Sequence, residues 1–136
     1  MSKIARFEDI EAWQKARKLV KKVYEVCGVE RFRKDYSLID QMKRASVSIM
    51  ANIAEGFARR THKEFINFLG MAHGSVAELQ SHLYIALDQN FISDKDFKEL
   101  YTMAEEVSKL VQGFSNYLRG LQTPELPNPQ TLKLRR

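Results

Sequence analysis

Proline is missing from the first 123 residues of this 136-residue chain: Pro124, Pro127 and Pro129 are its only three. Everything before them is free of the residue that most reliably breaks a helix. Cysteine is almost absent, Cys27 standing alone. A disulfide framework is excluded, and a reducing, cytoplasmic setting fits best. No apolar run approaches the ~18–20 residues of a membrane span. The opening stretch MSKIARFEDIEAW lacks the apolar segment of a signal peptide.

Glycine is scarce and scattered, six in all, with no G-x-G-x-x-G or Walker A loop to cradle a phosphate. The histidines are His62, His73 and His82, and no two form an H-x-x-x-H pair. With one cysteine, zinc spacing is missing, and no Glu-x-x-His pair marks a di-iron bundle. No cofactor and no metal are therefore expected.

What is present is helical. The chain is 44% hydrophobic and 29% charged, enough for one domain with a core. Apolar residues recur at spacings of three and four, and no strand-like alternation persists. The first helix is expected over about 9–27. It has two adjacent stripes, one of Trp13, Val20, Tyr24 and Cys27, the other of Ala12, Ala16, Leu19, Val23 and Val26. Together they are wider than one partner needs. Gly28 suits the left-handed residue that closes a helix.

The second helix spans about 37–58, with Leu38, Met42, Ala45, Ile49 and Ile53 inward. The third, about 62–89, opens on THKE, a capping box. There Thr61 accepts from the Glu64 amide and the Glu64 side chain answers the amide of Thr61. The fourth, about 94–119, has Ser93 as N-cap, Asp94 and Asp96 in its first turn, and Ile92 and Phe97 as a hydrophobic staple. Gly120 and then Pro124 end it. Short links make an antiparallel up-down four-helix bundle of residues 1–120 the economical fold. Residues 121–136 form a proline-containing basic tail. The spare stripe on the first helix implies apolar surface for another subunit.

Few residues offer chemistry. Ser75, Glu78 and His82 share one face of the third helix, but Ser75 and His82 lie about 10 Å apart along its axis. A histidine-activated serine needs contact near ~3 Å. Polar groups satisfying one another at a helix interface are the better reading, and no catalytic residue is assigned.

The stretch SIMANIAEGFARR, residues 48–60, sets Asn52, Glu55 and Gly56 in an apolar helix. With Gly74, Ser75 and Glu78 they read as a structural polar seam or a subunit contact that fixes helix register. Glu55 also stands four residues before Arg59, the favourable order for an ion pair. Counted outward from the turn near Arg60, Asn52 and Glu55 do not reach the height of Gly74.

Charge is uneven. Residues 1–60 carry 14 Lys and Arg against 8 Asp and Glu, residues 61–120 carry 5 against 8, and the whole chain is +5. Lys15, Lys18 and Lys22 share a face of the first helix. Arg31, Arg33 and Lys34 cluster in the following loop, Lys43 and Arg44 follow, and Arg59, Arg60 and Lys63 flank the second turn. These are the candidate phosphate contacts, which give affinity without base specificity. The asymmetry equally suits a basic face meeting an acidic face of another copy. Aromatics are not visibly interleaved with the cations, so no base-stacking platform is read.

The segments FEDIEAWQKARKL (7–19), DYSLIDQMKRASVSIMANIAEGFARR (35–60), KEFINFLGMAHGSVAEL (63–79) and LYIALDQNFIS (83–93) together resemble the four-helix-bundle family encoded in intervening sequences of bacterial 23S ribosomal RNA. One departure is Ser37, where relatives often have glycine. The resemblance implies kinship in fold with accessory variability proteins of diversity-generating retroelements, which form basic pentameric rings that bind reverse transcriptase and nucleic acid. A homopentamer is accordingly expected. The expected function is non-enzymatic binding of nucleic acid, RNA foremost. The alternative is a protein-interaction adaptor such as a reverse transcriptase accessory subunit.

Overall fold

The computed structural model describes residues 4–122. A 3-10 turn at Phe7–Asp9 precedes four helices: α1 (Glu11–Cys27), α2 (Tyr36–Phe57), α3 (His62–Asp88) and α4 (Asp94–Gln122). Each helix packs on its sequence neighbours, and α4 closes back on α1. The core is one contiguous cluster in which Leu19, Val23, Met42, Ile49, Leu69, Leu79, Leu83 and Leu100 are fully buried. None of the helices is long and apolar enough to cross a membrane among the described residues.

Local chemistry sets the starts. The Asp35 side chain accepts from the Leu38 amide at 3.0 Å, and Ser93 Oγ accepts from the Asp96 amide at 3.0 Å. Thr61 Oγ1 accepts from the Glu64 amide at 3.1 Å. The return half of that capping box differs from expectation, since the Glu64 carboxylate takes the Thr61 hydroxyl at 3.2 Å rather than the backbone amide. The first helix starts two residues late because Asp9 Oδ2 accepts the Ala5 and Arg6 amides, both at 3.3 Å, and closes the 3-10 turn instead.

The ends hold three corrections. Gly28 is right-handed, φ −83°, because the chain continues in tight right-handed turns and no reversal is needed there. The left-handed residue is Asn90, φ 62°. It closes α3 in a Schellman motif, with Phe91 N–H donating to Ala86 O at 2.9 Å and Asn90 N–H to Leu87 O at 3.0 Å. Gly120 does not stop α4, which runs to Gln122, two residues short of Pro124. Of the tail read at 121–136, residues 123–136 lie outside the described residues.

Side-chain pairs fix the helix directions. Ser48 meets Ser75, while Phe57 meets Phe65, so α3 runs against α2. Gln80 meets Glu105 and Phe65 meets Phe114, so α4 runs against α3. Lys15 meets Glu106 and Lys22 meets Asp96 and Glu99, so α1 runs against α4.

The spare stripe of α1 is largely consumed inside the chain. Trp13 takes Phe7 edge-on at 5.2 Å, Cys27 is buried, and Tyr24 lies beneath Lys43, whose Nζ is 4.5 Å from the ring centre. Tyr24 keeps 46% of its surface exposed, and further exposed apolar residues lie on α2 and α3 (Val47, Met71, Tyr84, Ile85) and on α4 (Tyr117, Leu121).

Candidate nucleic-acid interface

The seam residues separate into those that join helices and those that do not. Ser48 Oγ and Ser75 Oγ lie 2.9 Å apart across the α2–α3 contact. Asn52 Nδ2 donates to Ser48 O at 2.9 Å and to Ser48 Oγ at 3.0 Å, so Asn52 backs the hydroxyl pair from its own helix. Gly56 is the close-packing point: a Cβ there would sit 2.7 Å from Phe65 Cδ1 and 2.8 Å from the Phe68 Cβ. Glu55 instead faces outward and pairs with Arg59 at 2.7 Å. Glu78 stays on α3, 3.4 Å from the His82 ring. Gly74 is exposed, with nothing within 4 Å of its Cβ position.

Ser48, which counting from the turn did not bring forward, is thus the link between Asn52 and Ser75. Ser75 is engaged with Ser48 and His82 with Glu78, so the serine and histidine of α3 do not act on each other. A different serine–histidine contact exists: Ser108 Oγ lies 2.9 Å from His73 Nδ1, joining α3 to α4. The other ring nitrogen faces Gln112 at 3.4 Å rather than a carboxylate, and Ser108 is buried. The pair therefore lacks the third group that orients a catalytic base. No group of three or more His, Cys, Asp or Glu among the described residues could hold a metal. Burial pushes the Cys27 thiol up to about 11, against the opposing pull of Lys43, so little thiolate forms at neutral pH.

The eleven candidate cations do not form one surface. The loop bearing Arg33 and Lys34 and the turn bearing Arg59 and Arg60 lie at opposite ends of α2, about 33 Å apart for 22 residues at ~1.5 Å rise. Lys15 and Lys22 do not share a free face with Lys18. They turn to α4, where Lys15 Nζ lies 3.2 Å from Glu106 and Lys22 Nζ 3.7 and 3.6 Å from Asp96 and Glu99. Part of the charge asymmetry is thereby settled within one chain. Arg31 Nε donates to Phe91 O at 3.2 Å. Lys43 covers Tyr24, and Arg59 stacks over Phe68 at 4.6 Å while holding Glu55.

Six candidates remain exposed and without an ion-pair, hydrogen-bond or ring partner for the side chain among the described residues: Lys18, Arg33, Lys34, Arg44, Arg60 and Lys63. The sequence reading passed over Arg17 and Lys21, which are exposed beside Lys18 on α1. Lys21 stands three residues after Lys18 and four after Arg17, and that spacing was the available signal. It also missed that Phe114 and Tyr117, far along the chain on α4, line a cavity with Arg60.

The geometry thus defines an all-helical bundle with cations exposed at both ends of α2. The family model for 23S rRNA-intervening sequence protein matches residues 8–113, and the chain belongs to that family. It is similar in fold to a solved protein of unknown function from the S23 ribosomal protein family of Bacteroides thetaiotaomicron VPI-5482. The TM-score is 0.71 at 21% identity, over 76% of this chain and 97% of that one. No curated protein matches the chain.

Proposed function

We propose that this chain is a non-enzymatic, self-associating nucleic-acid-binding bundle, RNA foremost, that holds phosphates with its unpaired cations. The observation that carries this reading is the division among the basic residues. Lys15 and Lys22 are engaged by carboxylates of α4, while Lys18, Arg33, Lys34, Arg44, Arg60 and Lys63 stand exposed without one among the described residues. Such cations release counterions on meeting a phosphate backbone, so binding depends steeply on salt. The family's ribosomal RNA context supports RNA as the first polyanion to test.

Self-association is assigned to the outer α2–α3 face. Residues 65–77 carry no Asp, Glu, Lys or Arg. Met71 on α3 is 48% exposed and Val47 on α2 42% exposed, and the small residues Ala51, Gly74 and Ala77 are exposed as well. A stable interface needs roughly 800 Å² from each partner, and small residues permit close helix approach. The same face supports the second reading, a protein-interaction adaptor docking another protein such as a reverse transcriptase.

A filter-binding titration of structured RNA at low salt tests the first reading. Retention that falls steeply as salt rises supports it, and no retention at any salt removes it.

A further inference from the structure

Beside the α2–α3 turn is a cavity of about 360 Å³. Its walls bring together Phe57 of α2, Phe65 of α3, and Phe114 and Tyr117 of α4, with Arg60, His62 and the Glu55-paired Arg59 also lining it. Tyr117 is 45% exposed, and Phe57 and Phe114 are half-buried, so ring surface faces the opening. No carboxylate lines this cavity. The adjoining groove of about 500 Å³ shares Phe114 and Tyr117 but is lined by Asp9 and Glu11 beside Lys109. An anion thus meets no lining carboxylate in the first cavity and two in the second.

Aromatic walls, an unpaired guanidinium and the absence of acid complement a ligand that is itself aromatic and anionic. We infer that this cavity takes an unstacked base of a single-stranded or looped RNA, with its phosphate at Arg60. The inference rests on the nucleic-acid reading above and adds which part of the RNA enters the protein. Every base has a π-face, so a ring platform binds without sequence preference. A base inside a duplex keeps its faces against its neighbours, so the duplex offers phosphate, ribose and base edges but no ring face. The cavity therefore distinguishes single strands from duplexes, which scattered surface cations do not.

Anisotropy titrations of the full chain with a labelled single-stranded RNA, and with the same strand annealed to its complement, test this. The single strand should bind more tightly. Tyr117→Ala should weaken single-strand binding roughly 5- to 150-fold and leave duplex binding unchanged, and Tyr117→Phe should restore it. Arg60→Ala should weaken both. Equal affinity for the two RNAs, with Tyr117→Ala without effect while Arg60→Ala still weakens binding, overturns the base pocket and leaves the phosphate reading standing. No binding of either RNA overturns both. A Tyr117→Ala protein with unchanged RNA affinity and a smaller mass in solution would assign the cavity to a contact between copies.

Discussion

Ser48 and Ser75 touch hydroxyl to hydroxyl at 2.9 Å, and that contact joins the two segments whose polar residues stand out in the sequence. It sets the register of α2 on α3, because both oxygens are half-buried and neither finds its partner if one helix slides a turn. Ser75→Ala should cost about 0.5–1.5 kcal/mol, the worth of one such bond. Asn52→Ala should cost a similar amount, with the double variant losing less than the sum because both act on the Ser48 hydroxyl. Urea denaturation of the four proteins reads this directly, and strict additivity would contradict the shared network.

Gly56 and Gly74 should respond oppositely to alanine. At Gly56 the added methyl would meet Phe65 and Phe68 at 2.7 and 2.8 Å. Overpacking of about 1–3 kcal/mol outweighs the gain in helix propensity of about 1 kcal/mol, so Gly56→Ala is destabilising. At Gly74 nothing lies within 4 Å, so Gly74→Ala should stabilise an isolated chain by up to about 1 kcal/mol. If copies associate through this face, the same change should lower the mass seen by light scattering. A single-subunit mass for the unaltered protein would remove self-association.

Cys27 should behave as a core residue. Its thiol is buried and held up to about 11, against an ordinary value of 9.0. A thiol reagent at pH 8 should label it only as fast as the protein opens, and rapidly in urea. The folded state keeps the proton that the unfolded state releases, so this group's contribution to stability is present below pH 9 and is lost as pH rises through 9 to 11. Urea midpoints across that range should fall for the unaltered chain and fall less for Cys27→Ala.

Helix positions were legible because their signals are local: Thr61 and Ser93 cap in the structure as their sequence context implies, and Asp35 caps a helix that begins one residue before the expected 37. The helix ends were less so. Gly28 and Gly120 carry the residue type of a stop, yet whether a chain must turn left-handed depends on where the next element packs. Asn90, not a glycine, holds that role. The fate of the cations was illegible for the same reason. Lys15, Lys18 and Lys22 look alike on a helical wheel. Only the register of α4 decides that two of them meet Glu106, Asp96 and Glu99. Likewise, the neighbourhood of Arg60 and Tyr117 needs three helices in place before it exists.

Engaged and free cations should separate in a binding experiment. Lys15 and Lys22 hold partly exposed ion pairs, worth about 0–1 kcal/mol each. Lys15→Ala should therefore shift the melting temperature little and leave RNA affinity nearly unchanged.

The most direct measurement is the salt dependence of RNA affinity for the unaltered chain, for the Arg60→Glu, Lys63→Glu double variant and for the Lys15→Ala, Lys22→Ala double variant. The account predicts a steep linear fall of log affinity with log salt for the unaltered chain. It predicts a slope shallower by roughly 0.7–0.9 per lost phosphate contact in the first variant, with near-identity of the second to the unaltered chain. A slope near zero for the unaltered chain, or equal slopes and affinities for all three proteins, would contradict it.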